Sequence, residues 1–287
     1  HLIRTADGWI ALNLARDDDQ SLVPAWLRID PEPDHWAAIH RCARERTSED
    51  LIADAILLGL PAGRVGEVRA DANSPPRLRL GDGAPRRSRP LRIVDLSALW
   101  AGPMCGAILA AMGAEVLKIE SAGRPDPTRA TMPEFFRRLN GAKQELVLDF
   151  TDPRGRSRLR QVFAAADIVI TSARPRAFAA LELDPDAIFA VNPDLVWVAI
   201  TGYGWIGAAA ERVAFGDDAA AAGGLVRWTP DGEPRFLGDA LADPVTGLTA
   251  AIGALEGLAA GGGVLVDVAM ARCAAVAASI CGLAPGP

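Results

Sequence analysis

One acidic residue, Asp243, stands where its carboxylate could act as a nucleophile. It belongs to the segment ADPVTG (residues 242–247), has no basic partner nearby in the sequence, and opens an apolar run over 248–258. A carboxylate at the entry of a helix, with Gly247 one turn later, is stabilised as an anion and can attack an electrophilic carbon. Aspartate also caps helices in proteins of every function. The segment by itself therefore leaves open whether this acid is catalytic or only a helix cap.

The elements upstream of Asp243 alternate between short apolar runs and segments of helical length. The run 91–96 precedes an Ala-Gly-Pro turn at 101–103 and an apolar helical stretch at 104–112. Further short runs, rich in β-branched residues, cover 115–120, 146–149, 167–170 and 195–200. Parallel strands need such crossover segments between them. The alternation predicts an α/β fold with a doubly wound, Rossmann-like parallel sheet.

The amino-terminal part of the chain has a different pattern. A turn and strand at 7–14 and helices at 34–46 and 48–58 predict a smaller α+β domain over residues 1–70. Residues 71–90 are rich in Pro, Gly and Arg, which cannot form a long helix or a central strand, and they predict a linker. We therefore expect residues 91–287 to form the larger domain.

Composition narrows the class of protein. The chain has 287 residues and a net charge of -6, which disfavours a nucleic-acid partner. The four cysteines show no CxxC spacing, so we expect buried reduced thiols and a cytoplasmic enzyme. No segment combines the features of a signal peptide or has the length and apolarity of a membrane span, so no membrane partner is expected. The sequence also predicts no metal site.

An ordered series of motifs over residues 91–270 resembles the family III CoA-transferases (the CaiB/BaiF family), which also include α-methylacyl-CoA racemase. The motifs that carry the resemblance are VDLS (94–97), AGP (101–103), GAEVLKIE (113–120), DPTR (126–129), LDF (148–150), ADIVI (166–170), NPDLV (192–196) and TGYG (201–204). The resemblance implies an acyl-CoA:carboxylate CoA-transferase whose substrates are an acyl-CoA and a small carboxylic acid.

The resemblance also implies roles for particular residues. Asp243, with Gly247 and Gly253, matches the spacing around the family's catalytic aspartate, which forms an aspartyl-CoA thioester; Asp239 is the nearest rival but lacks such glycines. The positions that match the family's CoA-contacting segments are Trp100, Ala101, Leu148, Asp149, Phe150, Thr151, Ser172, Ala173, Arg174 and Phe215. In the family two chains interlock, so the resemblance implies a homodimer.

Two features depart from the family pattern. The basic residue expected just after Glu120 is Ser121, with Arg124 as a substitute, and a second basic position is displaced to Arg176. The family's smaller domain follows the larger one, whereas here its aspartate-glycine-aromatic strand begins at Asp7 and precedes residue 91. We therefore expect a permuted domain order, or a piece of a fused protein.

Two alternatives to a transferase stay open. An acyl-CoA racemase or isomerase needs an acid and a base with pKa values near neutrality, and the family's Gly-His-Asp run is Gly216-Asp217-Asp218 here. Two neighbouring carboxylates are not expected to supply that pair, and all three histidines lie in residues 1–40. The missing basic residues favour the other alternative, a CoA-binding protein without catalytic activity.

Overall fold

The computed structural model describes residues 1–70, 75–83 and 90–283. The described residues form two compact units. The larger unit consists of Ser74–Glu211 and Pro244–Ala269. The smaller unit consists of His1–Asn73, Arg212–Asp243 and Met270–Pro287.

The strands, in chain order, are β1 (Leu2–Arg4), β2 (Trp9–Leu12), β3 (Ala62–Arg64), β4 (Arg77–Arg79), β5 (Arg92–Leu96), β6 (Glu115–Ser121), β7 (Gln144–Leu148), β8 (Ile168–Thr171), β9 (Val196–Thr201), β10 (Val226–Trp228), β11 (Pro234–Phe236) and β12 (Val264–Ala269). The helices are α1 (Asp17–Ser21), α2 (Val23–Leu27), α3 (His35–Ala43), α4 (Ser48–Leu58), α5 (Ala101–Ala111), α6 (Thr128–Thr131), α7 (Pro133–Asn140), α8 (Pro153–Ala165), α9 (Pro175–Ala180), α10 (Pro185–Val191), α11 (Gly216–Ala222), α12 (Ala242–Ala259) and α13 (Met270–Ile280).

The larger unit is built on a seven-stranded sheet with the order β4-β12-β9-β8-β5-β6-β7. Every neighbouring pair is parallel except β4 with β12. The chain winds from β5 through β6 to β7 on one side, and through β8 and β9 to β12 on the other. This order confirms the doubly wound α/β fold, and its switch point lies between β5 and β8.

The centre of this sheet is fully covered, which explains why its strands are continuous apolar runs. All residues of β8, β9 and β12 are buried. Trp197 on β9 contacts Phe163 and Phe178 edge to face, and its indole Nε1 donates to Thr171 Oγ1 at 3.0 Å. The aromatic cluster thus packs α8 and α9 against the sheet without leaving the indole N–H unpaired.

The predicted linker contains an edge strand. Strand β4 pairs antiparallel with β12, and Arg77 and Arg79 on it are exposed. Charged side chains on a short outer strand are typical of protected sheet edges. Residues 71–74 and 84–89 of the expected linker lie outside the described residues.

The smaller unit contains the antiparallel sheet β1-β2-β3, the hairpin of β10 and β11, and six helices, α1–α4, α11 and α13. Its core includes Trp26, Ile39 and Leu51, and the Trp26 indole donates to the Leu51 carbonyl at 2.9 Å. The predicted helices at 34–46 and 48–58 are confirmed as α3 and α4.

The division of the chain differs from the expected boundaries, in which residues 91–287 formed one domain. Residues 212–243 and α13 group with the smaller unit because α11 packs against β2 and β3. The amides of Gly66 and Val68 donate to the carbonyls of Ala221 and Ala222, both at 2.9 Å. A Cβ on Gly223 would lie 2.5 Å from the Ala271 carbonyl, so α11 and α13 pack with almost no space between them. These contacts are long-range, and local sequence patterns do not reveal them.

No disulfide links any of the cysteines in the described ranges. Cys105 and Cys273 are buried, as expected, but Cys42 is half-buried and Cys281 is exposed, so the expectation of burial is wrong for these two. Within the same ranges, no helix has the length and apolarity needed to cross a membrane.

Candidate active site

Asp243 lies in the first turn of α12, as the sequence predicts. Its amide donates to the Ala240 carbonyl at 2.9 Å, and its side chain is half-buried. The unpaired N–H groups and the dipole at a helix N-terminus favour a negative charge there. The position therefore suits an ionised carboxylate that a substrate can still reach.

Gly216, the first residue of α11, forms the surface against which Asp243 lies. A Cβ atom at this position would overlap Oδ2 of Asp243 and would lie 2.6 Å from both Cβ and the carbonyl oxygen of Ala240. Any side chain at 216 would displace the acid or the turn before it. A glycine is required here for close packing.

Replacing Gly216 with alanine should lower the free energy of unfolding by about 1–3 kcal/mol, the usual cost of an overpacked site. Gly238 is a matched control in the same unit, because a Cβ there would have no neighbour within 4 Å. Urea denaturation of both variants measures the difference. Equal stability of Gly216→Ala and Gly238→Ala would show that the close packing at Gly216 carries no energetic constraint.

Asp218 is a second acid at this place, and sequence reasoning gave it no role. It is completely buried; Oδ1 accepts a 2.8 Å hydrogen bond from the Phe215 amide, and Oδ2 has no partner among the described residues. Burial, with the negative charges of Asp217 and Asp243, raises the pKa of Asp218 to about 8. Asp218 is therefore neutral at pH 7, and Asp243 does not face a second buried charge.

This pKa bears on one expectation from the sequence. Two adjacent carboxylates were not expected to give an acid and base pair near neutrality; burial raises the pKa of Asp218 alone, so that expectation stays a prediction. The sequence carries one signal for the burial of Asp218. This residue directly precedes the alanine-rich segment 219–222, whose composition is typical of a buried helix. Since Asp218 has no exposed surface, it cannot exchange a proton directly with a substrate carbon.

Two of the predicted CoA-contacting residues lie where the turn after β5 enters α5: Trp100 caps the helix and Ala101 is its first residue. The amide of Ala98 donates to the hydroxyl of Ser172 at 3.0 Å, which joins the ends of β5 and β8 at the switch point. Trp100 is half-buried and contacts Phe135 edge to face, with 5.2 Å between ring centroids. Ala101 is buried, and its carbonyl would lie 2.8 Å from a Cβ on Gly247. Gly247 thus lets α12 approach α5 closely.

A buried ionic network that sequence reasoning missed holds this turn. The Lys143 ammonium donates to Asp95 at 2.7 Å and to the Pro103 carbonyl at 2.8 Å, and the Lys118 ammonium donates to the Ser97 carbonyl at 2.8 Å. Burial alone would raise the pKa of Asp95, but the charges of Lys143 and Lys118 outweigh it and lower that pKa. A lysine inside the apolar strand 115–120 was the available signal.

The remaining predicted CoA-contacting residues of the larger unit follow β7 and β8. After β7, Asp149 Oδ1 accepts hydrogen bonds from the amide and hydroxyl of Thr151, at 2.8 and 2.7 Å. The hydrogen bond from the Thr151 hydroxyl, followed by the one from its amide, lowers the pKa of Asp149. Leu148 and Phe150 flank it, half-buried. After β8, Ala173 and Arg174 are half-buried, and Arg174 Nη1 donates to the Glu211 carbonyl at 3.1 Å.

A basic residue that the sequence reasoning passed over lies at the segment 148–151. Arg156 donates through Nη1 to the carbonyls of Phe150 and Thr151, at 3.1 and 3.0 Å. Its guanidinium therefore lies against this segment. The signal was the run of arginines after Pro153 at the start of α8.

The structure therefore brings the predicted residues together in two groups. Trp100, Ala101, 148–151 and 172–174 follow parallel strands of the larger unit at their carboxyl ends. Asp243 and Phe215 belong to the smaller unit, where Phe215 caps α11 and the Arg16 guanidinium lies 5.9 Å from its ring centroid.

Among the curated proteins, the chain is 30% identical to the succinyl-CoA–D-citramalate CoA-transferase of Chloroflexus aurantiacus, over 64% of this chain and 49% of that enzyme. It is 32% identical to the succinate–glutarate CoA-transferase of Agrobacterium fabrum, over 57% of this chain and 46% of that protein. The chain thus spans about half the length of these relatives.

The chain is also similar to solved structures, one of them of a CaiB/BaiF family protein. A CaiB/BaiF family protein from Brucella suis superposes with a TM-score of 0.61 at 30% identity, over 71% of this chain and 60% of that one. A hypothetical protein from Mycobacterium tuberculosis superposes with a TM-score of 0.62 at 28% identity, over 68% of this chain and 59% of that one. The sequence model that describes CoA-transferase family III matches residues 89–281, about two thirds of the sequence. The chain therefore belongs to the family III CoA-transferases.

Proposed function

We propose that the protein transfers CoA from an acyl-CoA to a small carboxylic acid through an aspartyl-CoA thioester on Asp243. The observation that carries this proposal is the half-buried Asp243 carboxylate in the first turn of α12, packed against Gly216. A carboxylate needs no general base to be a nucleophile. The site therefore requires only that Asp243 stay ionised and accessible.

Each step of the proposed reaction exchanges one acyl bond for another. The Asp243 carboxylate attacks the thioester carbon. A C–O bond forms and the C–S bond breaks, which releases the CoA thiolate and gives a mixed anhydride between Asp243 and the acyl group. The thiolate then attacks the Asp243 carbonyl and expels the donor acid as a carboxylate. An acceptor carboxylate reverses the two steps. No proton is transferred, so the buried proton of Asp218 is not consumed.

We place CoA across the carboxyl ends of the parallel strands, with adenine near 148–151 and 172–174. Two observations support this placement. Ligands of open α/β sheets bind where the winding direction switches, which is here between β5 and β8. Arg156 and Arg174 supply positive charge at these segments, and Arg124, expected to replace the missing basic residue after Glu120, is exposed beyond β6. A CoA bound only to residues 1–70 would contradict the placement.

The assembly and cellular location stay proposals. The homodimer rests on the family resemblance, and the cytoplasmic location rests on the cysteine content. The permuted or fused domain order also stays a prediction. The names of two relatives contain succinyl-CoA, succinate and glutarate, so succinate and glutarate are the first acids to test.

Mass spectrometry after incubation with an acyl-CoA tests the proposed function. We expect the protein to gain the mass of a covalent intermediate with succinyl-CoA, and hydroxylamine to convert the modified residue, Asp243, to a hydroxamate. Peptide mapping locates the modification.

Two other results would overturn the proposal. CoA binding without any adduct or exchange between acids would favour a non-catalytic CoA-binding protein. Deuterium uptake at the carbon next to the thioester carbonyl, without exchange of CoA, would favour a racemase or isomerase.

A further inference from the structure

Ala240, which lies two residues before the start of α12, has an unusual backbone conformation. Its φ angle is +48°, in the left-handed region that residues with a Cβ atom rarely adopt. Its sequence neighbours Asp239 and Leu241 are not glycines, so the local sequence does not favour this conformation. Contacts elsewhere in the smaller unit must hold it.

Both backbone polar groups of Ala240 are hydrogen-bonded. Its amide donates to Oδ1 of Asp217 at 2.8 Å, and its carbonyl accepts from the amide of Asp243 at 2.9 Å. The packing against Gly216 holds the other side of Ala240. A continuous path of two hydrogen bonds therefore links the Asp217 carboxylate to the backbone of Asp243.

We propose that Asp217 is a positioning residue for Asp243: its carboxylate holds Ala240 in the left-handed conformation and so sets the first turn of α12. The inference rests on the proposed function of Asp243. Asp217 does not touch the substrate in this role, since its Oδ1 is committed to the Ala240 amide. Reactions that need a near-attack geometry lose much of their rate when a nucleophile is displaced by even 1 Å.

The alternative is a purely electrostatic role for Asp217 in the first turn of α11. Asparagine separates the two roles, because its Oδ1 still accepts from the Ala240 amide while its side chain carries no charge. Alanine removes both the hydrogen bond and the charge. Under our proposal Asp217→Asn resembles the wild type and Asp217→Ala does not, whereas an electrostatic role would make the two variants alike.

The experiment measures the single-turnover rate at which Asp243 becomes modified by succinyl-CoA, with KM measured in parallel. We expect Asp217→Ala to slow modification by about 10- to 100-fold with little change in KM, and Asp217→Asn to stay within about threefold of the wild type. Asp239→Ala, which removes an exposed acid next to Ala240, is the matched control and should leave the rate unchanged.

A second variant distinguishes positioning from a loss of folding. Glycine adopts the left-handed region without steric cost, so Ala240→Gly should restore part of the rate lost in Asp217→Ala. Absence of this rescue in a folded double variant, or a normal rate in Asp217→Ala, would overturn the inference. If the wild type forms no adduct at Asp243 at all, the proposed function itself fails, and the two failures are thereby distinguished.

Discussion

Replacing Asp243 with alanine is expected to lower the rate of CoA exchange between acids by at least about a thousandfold, the scale of losing a covalent nucleophile. Neither acid of α11 offers a direct substitute. Asp218 is completely buried, and Asp217 Oδ1 is bonded to the Ala240 amide. Asp243→Asn should be equally inactive, because an amide keeps the shape of the side chain but is not a comparable nucleophile.

The fold should survive both substitutions. Losing an acid in the first turn of a helix costs about 0.3–1 kcal/mol, which urea denaturation can detect. Both variants should still bind CoA, which calorimetry can measure. Asp239→Asn is the control for a general effect of charge, since Asp239 is the rival acid in the sequence and is exposed. An Asp243→Ala protein that kept a tenth of the wild-type rate would refute the assignment of the nucleophile.

Replacing Asp218 with asparagine is expected to change how stability depends on pH. The pKa of Asp218 is about 8 in the folded protein, against an ordinary value of 3.8. Between these values the folded state holds one more proton than the unfolded state, so wild-type stability falls as pH rises, by up to about 1.4 kcal/mol per pH unit. This contribution is fully present below the ordinary pKa and is lost as pH rises through the folded-state pKa.

Asparagine has the shape of the neutral acid and can still accept from the Phe215 amide. The free energy of unfolding of Asp218→Asn should therefore exceed that of the wild type by an amount that grows from near zero at about pH 4 to several kcal/mol at about pH 8. Urea denaturation across this range measures it. Parallel curves for the two proteins would show that the pKa of Asp218 does not differ between the folded and unfolded states.

The charge of Asp243 provides an internal check on this result. Asp243 is one of the groups that raise the pKa of Asp218, so Asp243→Asn should lower that pKa. The fall in stability should then end at a lower pH in the Asp243→Asn background. An unchanged endpoint would mean that the two carboxyl groups do not interact.

The sequence by itself determined most strands of the large sheet and the two longer helices of the smaller unit's first 70 residues. Strands such as 91–96 and 195–200 are continuous apolar runs, and the alternation of strands with helical lengths allows few arrangements other than a doubly wound sheet. The position of Asp243 at a helix start also follows from local signals, namely an acid before an apolar run with Gly247 one turn on. The family's ordered motifs predicted membership, which the match over residues 89–281 confirms.

Only the tertiary structure decided which segments share a unit and what surrounds each acid. Helix α11 joins the smaller unit through hydrogen bonds between residues about 155 positions apart in the sequence, such as Gly66 and Ala221. The pKa of Asp218 depends on burial by that packing, and the left-handed Ala240 depends on a bond to Asp217. Burial and backbone strain are properties of the surroundings in space, so residue type and spacing along the chain do not reveal them.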